Sequence, residues 1–395
     1  MATLLEPSDP ADAHSTAPTR AVSHDFAWHA YSVVLAATMV VVGLLWDISW
    51  HMSVGRDTFW TPAHLMIQAG GLIAGLGSGA LALYLTFRGT DAERASTVSF
   101  WGFRAPFGAW VCVLGCGGML TSAPFDDWWH NAYGLDVRIV SPPHLLLGLG
   151  MLGIVLGALL RTLALQNRKD VLARRRATWL HTWSVGLYIS IIGVFLLEWS
   201  DRTLMHSGAF YVALSTALPM ILSATAVAGR VKRPATAAAL IYMVVLAGTS
   251  WVLMLFPATP KLGPIYRDIT HYVPLDFPVL LIVPALAMDL VYARVKDWPQ
   301  LRAGAALGVT FVVALLAVQW PFSSFLMEHG RNWFFHTDNF VYWQSVASEK
   351  FAFQFTPRAA DAAPFWLDLL YAGVLATLTS TLGLGRGHWM RRVQR

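Results

Sequence analysis

The chain has 395 residues, of which 56% are hydrophobic and only 13% charged; a soluble protein of this size would carry about a quarter charged residues. That balance excludes a water-soluble globular enzyme, and the net charge of +5 is read as loop topology rather than as a nucleic-acid surface, because Lys and Arg collect in cytoplasmic loops of membrane proteins. The two cysteines, Cys112 and Cys116, lie four apart in one apolar stretch, which excludes a disulfide framework and leaves either a soft-metal pair or two small packing residues.

Residues 1–26 are polar, with no short apolar core ahead of a small-residue cleavage site, so a cytoplasmic tail is expected and a cleavable signal peptide is not. Ten apolar stretches then follow, each close to the ~20 residues that cross a bilayer. They cover 27–50, 62–87, 105–124, 142–161, 178–198, 207–228, 235–256, 276–293, 302–320 and 364–384. The expected fold is an all-α polytopic membrane protein with about ten transmembrane helices and both termini cytoplasmic. With that orientation 20 of the 28 Lys and Arg are cytoplasmic, among them Arg161, Arg168, Arg174, Arg230 and Arg391. Three parts emerge: the tail 1–26, a four-helix region 27–165, and a six-helix region 178–395 with a long outer loop at 321–363. The loop is rich in aromatics (Trp333, Phe334, Phe335, Tyr342, Trp343) and suits either a lid or an interfacial belt.

The first four spans repeat a motif. WDISWHMSVGRDTFWTPAHL closes the first and opens the second, and FDDWWHNAYGLDVRIVSPPHLL closes the third and opens the fourth. Both read D-x2-W-H-x3-G-x-D-x4/5-P-x-H-L, pairing Asp47 with Asp126, His51 with His130, Asp57 with Asp136 and His64 with His144. Residues four apart share a helix face, so Asp47 and His51 project together. Pro62 suits the first turn of the returning helix, which brings His64 back to the same depth. Asp126, His130 and His144 repeat the arrangement.

Two imidazoles and a carboxylate leave coordination positions open, as suits redox metals that bind O2 or substrate; imidazole favours copper, iron, nickel and zinc. Asp57 and Asp136 are either partners of the ring N–H groups or turn residues. Trp46, Trp50, Trp60, Trp128 and Trp129 either line a dry pocket or anchor the interface. Bis-histidine haem ligation is rejected, since the polar, Gly- and Pro-bearing links between the paired histidines break the helix. A third set, Glu198, Asp201 and His206, has different spacing and is a weaker metal candidate. His271 with Asp276, and His329 with His336 and Asp338, are weaker again.

The run Asp47, His51, Arg56, Asp57, Thr58, Thr61, Pro62, His64 resembles the C subunit of the copper-containing membrane monooxygenases, the particulate methane and ammonia monooxygenase family, over residues ~30–165. In that family the Asp-His-His set is a copper site, and a neighbouring Asn-x3-His-x13-His site matches Asp126, His130 and His144 in spacing, with Asp in place of Asn. The resemblance implies copper (iron or zinc as alternatives), O2, a small apolar substrate, partner subunits and an external electron donor. The implied setting is a bacterial inner membrane with the metal sites on the periplasmic side. A non-catalytic copper-handling protein and a secondary transporter are the competing expectations. The carboxylates a carrier would use, Asp289 and Glu198, are poorly placed for one.

Overall fold

A computed structural model describes residues 27–395 apart from 57, 134–140, 169–170, 339, 346–354, 359–362 and 395. The tail 1–26, Asp57 and Asp136 therefore lie outside the described residues, as does the side chain of His130. Apart from one small hairpin, the regular elements among the described residues are helices. The first half comprises α1 (Ala27–Ser53), α2 (Pro62–Phe87), a one-turn α3 (Asp91–Arg94), a small hairpin of β1 (Val98–Phe100) and β2 (Phe103–Ala105), α4 (Phe107–Tyr133) and α5 (Pro142–Gln166). The second half comprises α6 (Val171–Phe195), α7 (Gly208–Ser215), α8 (Leu218–Ala228), α9 (Pro234–Leu253), α10 (Ile282–Val295), α11 (Gln300–Glu328) and α12 (Phe365–Met390).

Sequence explains the starts. Pro62, Pro142 and Pro234 occupy first turns, where the missing N–H costs nothing, and Ser141 caps α5 by accepting from the His144 amide. α1 packs on α2, α2 on α4 and α4 on α5, while α11, α12 and α8 form a second bundle and α6 bridges α5 to α9. The α4–α5 seam is built on glycine: a Cβ at Gly115 would stand 2.8 Å from the Gly150 carbonyl oxygen, so the backbones meet as in small-residue membrane interfaces. Both cysteines are buried as fillers, Cys116 against Gly75 and Cys112 against Gly157, which favours packing over a soft-metal pair.

Among the described residues eight helices are long and apolar enough to cross a membrane, nine if the bent pair α7/α8 counts as one span, against ten expected. The stretch 276–293 accounts for the difference. Pro274 and Pro278 withhold two amides inside an apolar run and hold their predecessors extended, so residues 272–281 are not helical and α10 begins only at Ile282. Its 14 residues rise about 21 Å, short of the ~30 Å hydrocarbon layer. A second correction concerns Arg161, expected in a loop: α5 runs on to Gln166, and Arg161 is buried in it, donating from Nε to His29 Nδ1.

Candidate metal centre

The last two turns of α1 carry Asp47 and His51 on one face. The chain then turns at Gly55, whose φ of +79° is a left-handed geometry that glycine adopts without strain. A side chain there would also collide with the Tyr342 hydroxyl. Thr61 and Pro62 restart the chain as α2, and His64 sits in its first turn.

His64 Nε2 lies 3.0 Å from Asp47 Oδ1, and His51 Nε2 lies 3.8 Å from Asp47 Oδ2. One ligand atom from each of the three residues falls within 4.8 Å of the others, the one such His/Cys/Asp/Glu group among the described residues. Orientation is fixed as well. His64 Nδ1 is 2.8 Å from the Thr58 carbonyl oxygen, which can only accept. Nδ1 therefore carries the hydrogen, and Nε2 is turned toward the carboxylate, the usual arrangement behind a metal-ligating histidine. Asp47 Oδ1 is buried and, apart from its 3.0 Å approach to His64 Nε2, has no hydrogen-bond partner; with the His64 hydrogen on Nδ1 two lone pairs face each other there, which is costly and is relieved by a cation. The donor set thus fits a transition-metal ion. The side chains of Asp47 and His64 are 18% and 26% exposed and that of His51 46%, so the centre is open on the His51 side.

The second motif is assembled in part. α4 continues nine residues past the expected end of its span, through Pro124, so Asp126 and His130 sit on a helix rather than at its edge. His144 Nε2 approaches Asp126 Oδ1 to 3.7 Å from the start of α5, and His144 Nδ1 is buried without a hydrogen-bond partner.

The five tryptophans differ in their surroundings. Trp60 and Trp128 are 73% and 54% exposed, as interfacial anchors are. Trp129 meets Phe125 and Trp128 edge-to-face and Tyr133 at a tilt. Trp46 and Trp50 pack with Val54, Leu253, Ala258 and Tyr272 toward the second half. The third set is dispersed among other partners. Asp201 accepts from the Thr203 amide and pairs with Arg358, His206 bonds the Trp320 carbonyl, and Glu198 is exposed on a short 3-10 turn. Of the weaker candidates, Asp276 is taken by Arg202 at 2.6 Å, His271 meets Thr270 and His329 stacks on Phe325.

Sequence reading missed two arrangements. His29, Ser78 and Arg161 join α1, α2 and α5 by buried hydrogen bonds of 3.0 and 3.3 Å; polar residues within apolar spans were the available signal. His336 is buried in the loop after α11, with Nδ1 donating to the Leu275 carbonyl, and nothing in its neighbours' spacing announces that. No protein-family model matches the chain, and comparison with curated proteins and with solved structures likewise returns no match.

Proposed function

We propose that this integral membrane protein holds a copper ion on Asp47, His51 and His64, and that it serves as an oxygenase or oxygenase subunit hydroxylating a small apolar substrate with O2. The observation that carries the reading is the convergence of the three ligands, with His64 already oriented by Thr58 and Asp47 Oδ1 buried and otherwise unbonded. Asp47 supplies the anionic oxygen that offsets the cation's charge, His64 a preset imidazole, and His51 a ligand at the open edge. When bound, copper supplies one-electron redox chemistry that no side chain of the set possesses. Iron or zinc would fit the same donors, and Asp126 with His144 is the candidate for a second ion. Electrons would come from an external donor, with partner subunits as the resemblance implies. The Lys and Arg asymmetry supports placing the centre on the periplasmic side of a bacterial inner membrane.

A second reading, copper handling without catalysis, is favoured by the exposure of His51, since an open ligand eases exchange of the ion. Two measurements separate the cases. Elemental analysis of purified protein beside Asp47→Asn and His64→Ala should show one ion lost in each variant; equal metal content would end both readings. Metal-loaded protein with a reductant should then consume O2 in step with substrate oxidation, and a bound ion without that coupling leaves the handling reading.

A further inference from the structure

On the face opposite the metal centre, the end of α5, the α8–α9 link and the end of α12 come together beside the start of α6; in sequence these stretches are 166–176, 229–233 and 386–395. Together they carry twelve Lys and Arg and a single carboxylate, Asp170. Two of the arginines are held at fixed positions by neutral groups, and Arg174 stands near enough to Arg230 for its charge to be felt there. Arg230 donates to Asn167 Oδ1 at 3.2 Å, and Arg391 donates from Nε to the Val227 carbonyl at 2.7 Å. Asn167, itself buried, donates to the Met390 and Val393 carbonyls at 2.8 and 2.7 Å, which ties the end of α5 to the end of α12. Partial burial, then the charges of Arg174 and Arg391, depress the Arg230 guanidinium below its ordinary value. Among the described residues no ion pair includes Arg174, Arg230 or Arg391; the nearby carboxylates are Asp289 on α10, which accepts from Ala235 and Thr236, and Asp297 just past its end, which with Arg391 lies near Tyr292.

Like charges anchored together repel, and a guanidinium has five donors of which the anchoring bonds use one. A tetrahedral phosphate offers several acceptor oxygens and the opposite charge, and guanidinium forks match it. We propose that Arg174, Arg230 and Arg391 form a phosphate-binding site at the membrane surface, occupied by the headgroup of an anionic phospholipid. Basic recesses between helix ends on one leaflet are suited to this ligand, and the site is independent of the metal centre. Filling it ties α6, the α8–α9 link and α12 together.

The test uses the purified full-length protein and counts retained lipids by native mass spectrometry. Phosphatidylglycerol is titrated against phosphatidylcholine, with inorganic phosphate as a third arm. Phosphatidylglycerol should be retained in preference. Arg230→Gln and Arg391→Gln should each weaken its binding about fivefold, from the ~1 kcal/mol that one basic residue contributes near an anionic surface, whereas Arg175→Gln and Lys232→Gln on the same face should change it less than twofold. Competition by millimolar phosphate would assign the site to a soluble phosphate instead of a lipid. Equal retention of the two lipids by the wild type, or equal losses in all four variants, would overturn the proposal. The wild-type comparison decides the matter even if a variant fails to fold.

Discussion

His336 makes the loop after α11 responsive to acid. It is 2% exposed, adopts φ +57°, donates from Nδ1 to the Leu275 carbonyl at 2.9 Å, and is flanked by Trp251 and Phe277 rings at 6.2 and 5.4 Å. Burial pushes its imidazole down to about 4, against ~6.5 when free in water. The docked loop therefore favours the neutral ring. Its docking free energy is fully present above ~6.5 and is lost as pH falls toward 4, because the released loop binds the extra proton. Between pH 7 and pH 5 the loss is about 2 kcal/mol, from ~1.36 kcal/mol per unit over ~1.5 units, or a ~25-fold rise in the open population. Hydrogen exchange of residues 333–345 in lipid nanodiscs, corrected for intrinsic rates, reads that change directly. His336→Asn keeps a donor and tolerates a positive φ but does not titrate, so its protection should be flat across the same range. Asp276, paired with Arg202, is present in both proteins and cannot account for a difference between them. The reasoning fails if wild-type protection is the same at pH 7 and pH 5, or if the Asn variant keeps the slope.

Gly308→Ala should lower the thermal midpoint in detergent by an amount equivalent to about 1–3 kcal/mol, because its Cβ would stand 2.4 Å from the Thr377 amide nitrogen of α12, a backbone atom that cannot swing aside; an unchanged midpoint would refute the close approach of α11 and α12. Arg202→Met removes the guanidinium bonded to Asp276 at 2.6 Å and should cost about 2 kcal/mol, read by chemical denaturation, with no loss counting against the pair. Gly55→Ala places a left-handed φ on a side chain, at about 1–2 kcal/mol, and meets Tyr342; weaker metal binding is expected, and full affinity would show that the turn does not set the ligand geometry. Asp126→Ala combined with His144→Ala should abolish any second ion while leaving the first, as elemental analysis would show.

Much of the architecture can be read from composition and punctuation. Charge-free runs mark the spans, prolines mark helix starts, and the Asp-His-His spacing resolves into one helix face plus the start of the next, where Asp47, His51 and His64 are brought together. The broken region at 272–281 escaped because hydropathy sums side chains, while the break comes from amides withheld by Pro274 and Pro278. Asp201 misled for another reason. A carboxylate on a tight turn is satisfied locally, here by the Thr203 amide and hydroxyl, before it can reach a distant histidine. His336 and Arg202 were unreadable because their partners, Leu275 and Asp276, lie 61 and 74 residues away, beyond any periodicity.

The extended stretch after α9 also acts as a tie-bar on the ligand helix. The Ser49 hydroxyl donates to the Val273 carbonyl at 2.6 Å, the Val273 amide donates to Ser53 Oγ at 2.7 Å, and the Lys261 amide donates to the Val54 carbonyl at 2.9 Å. The rear of α1 is thus stitched to the second half along the same two turns that present Asp47 and His51 in front. The duplicated quartet of helices is consequently not a detachable module: cut after α5, it would keep its ligands but surrender the backbone braces that hold them in register.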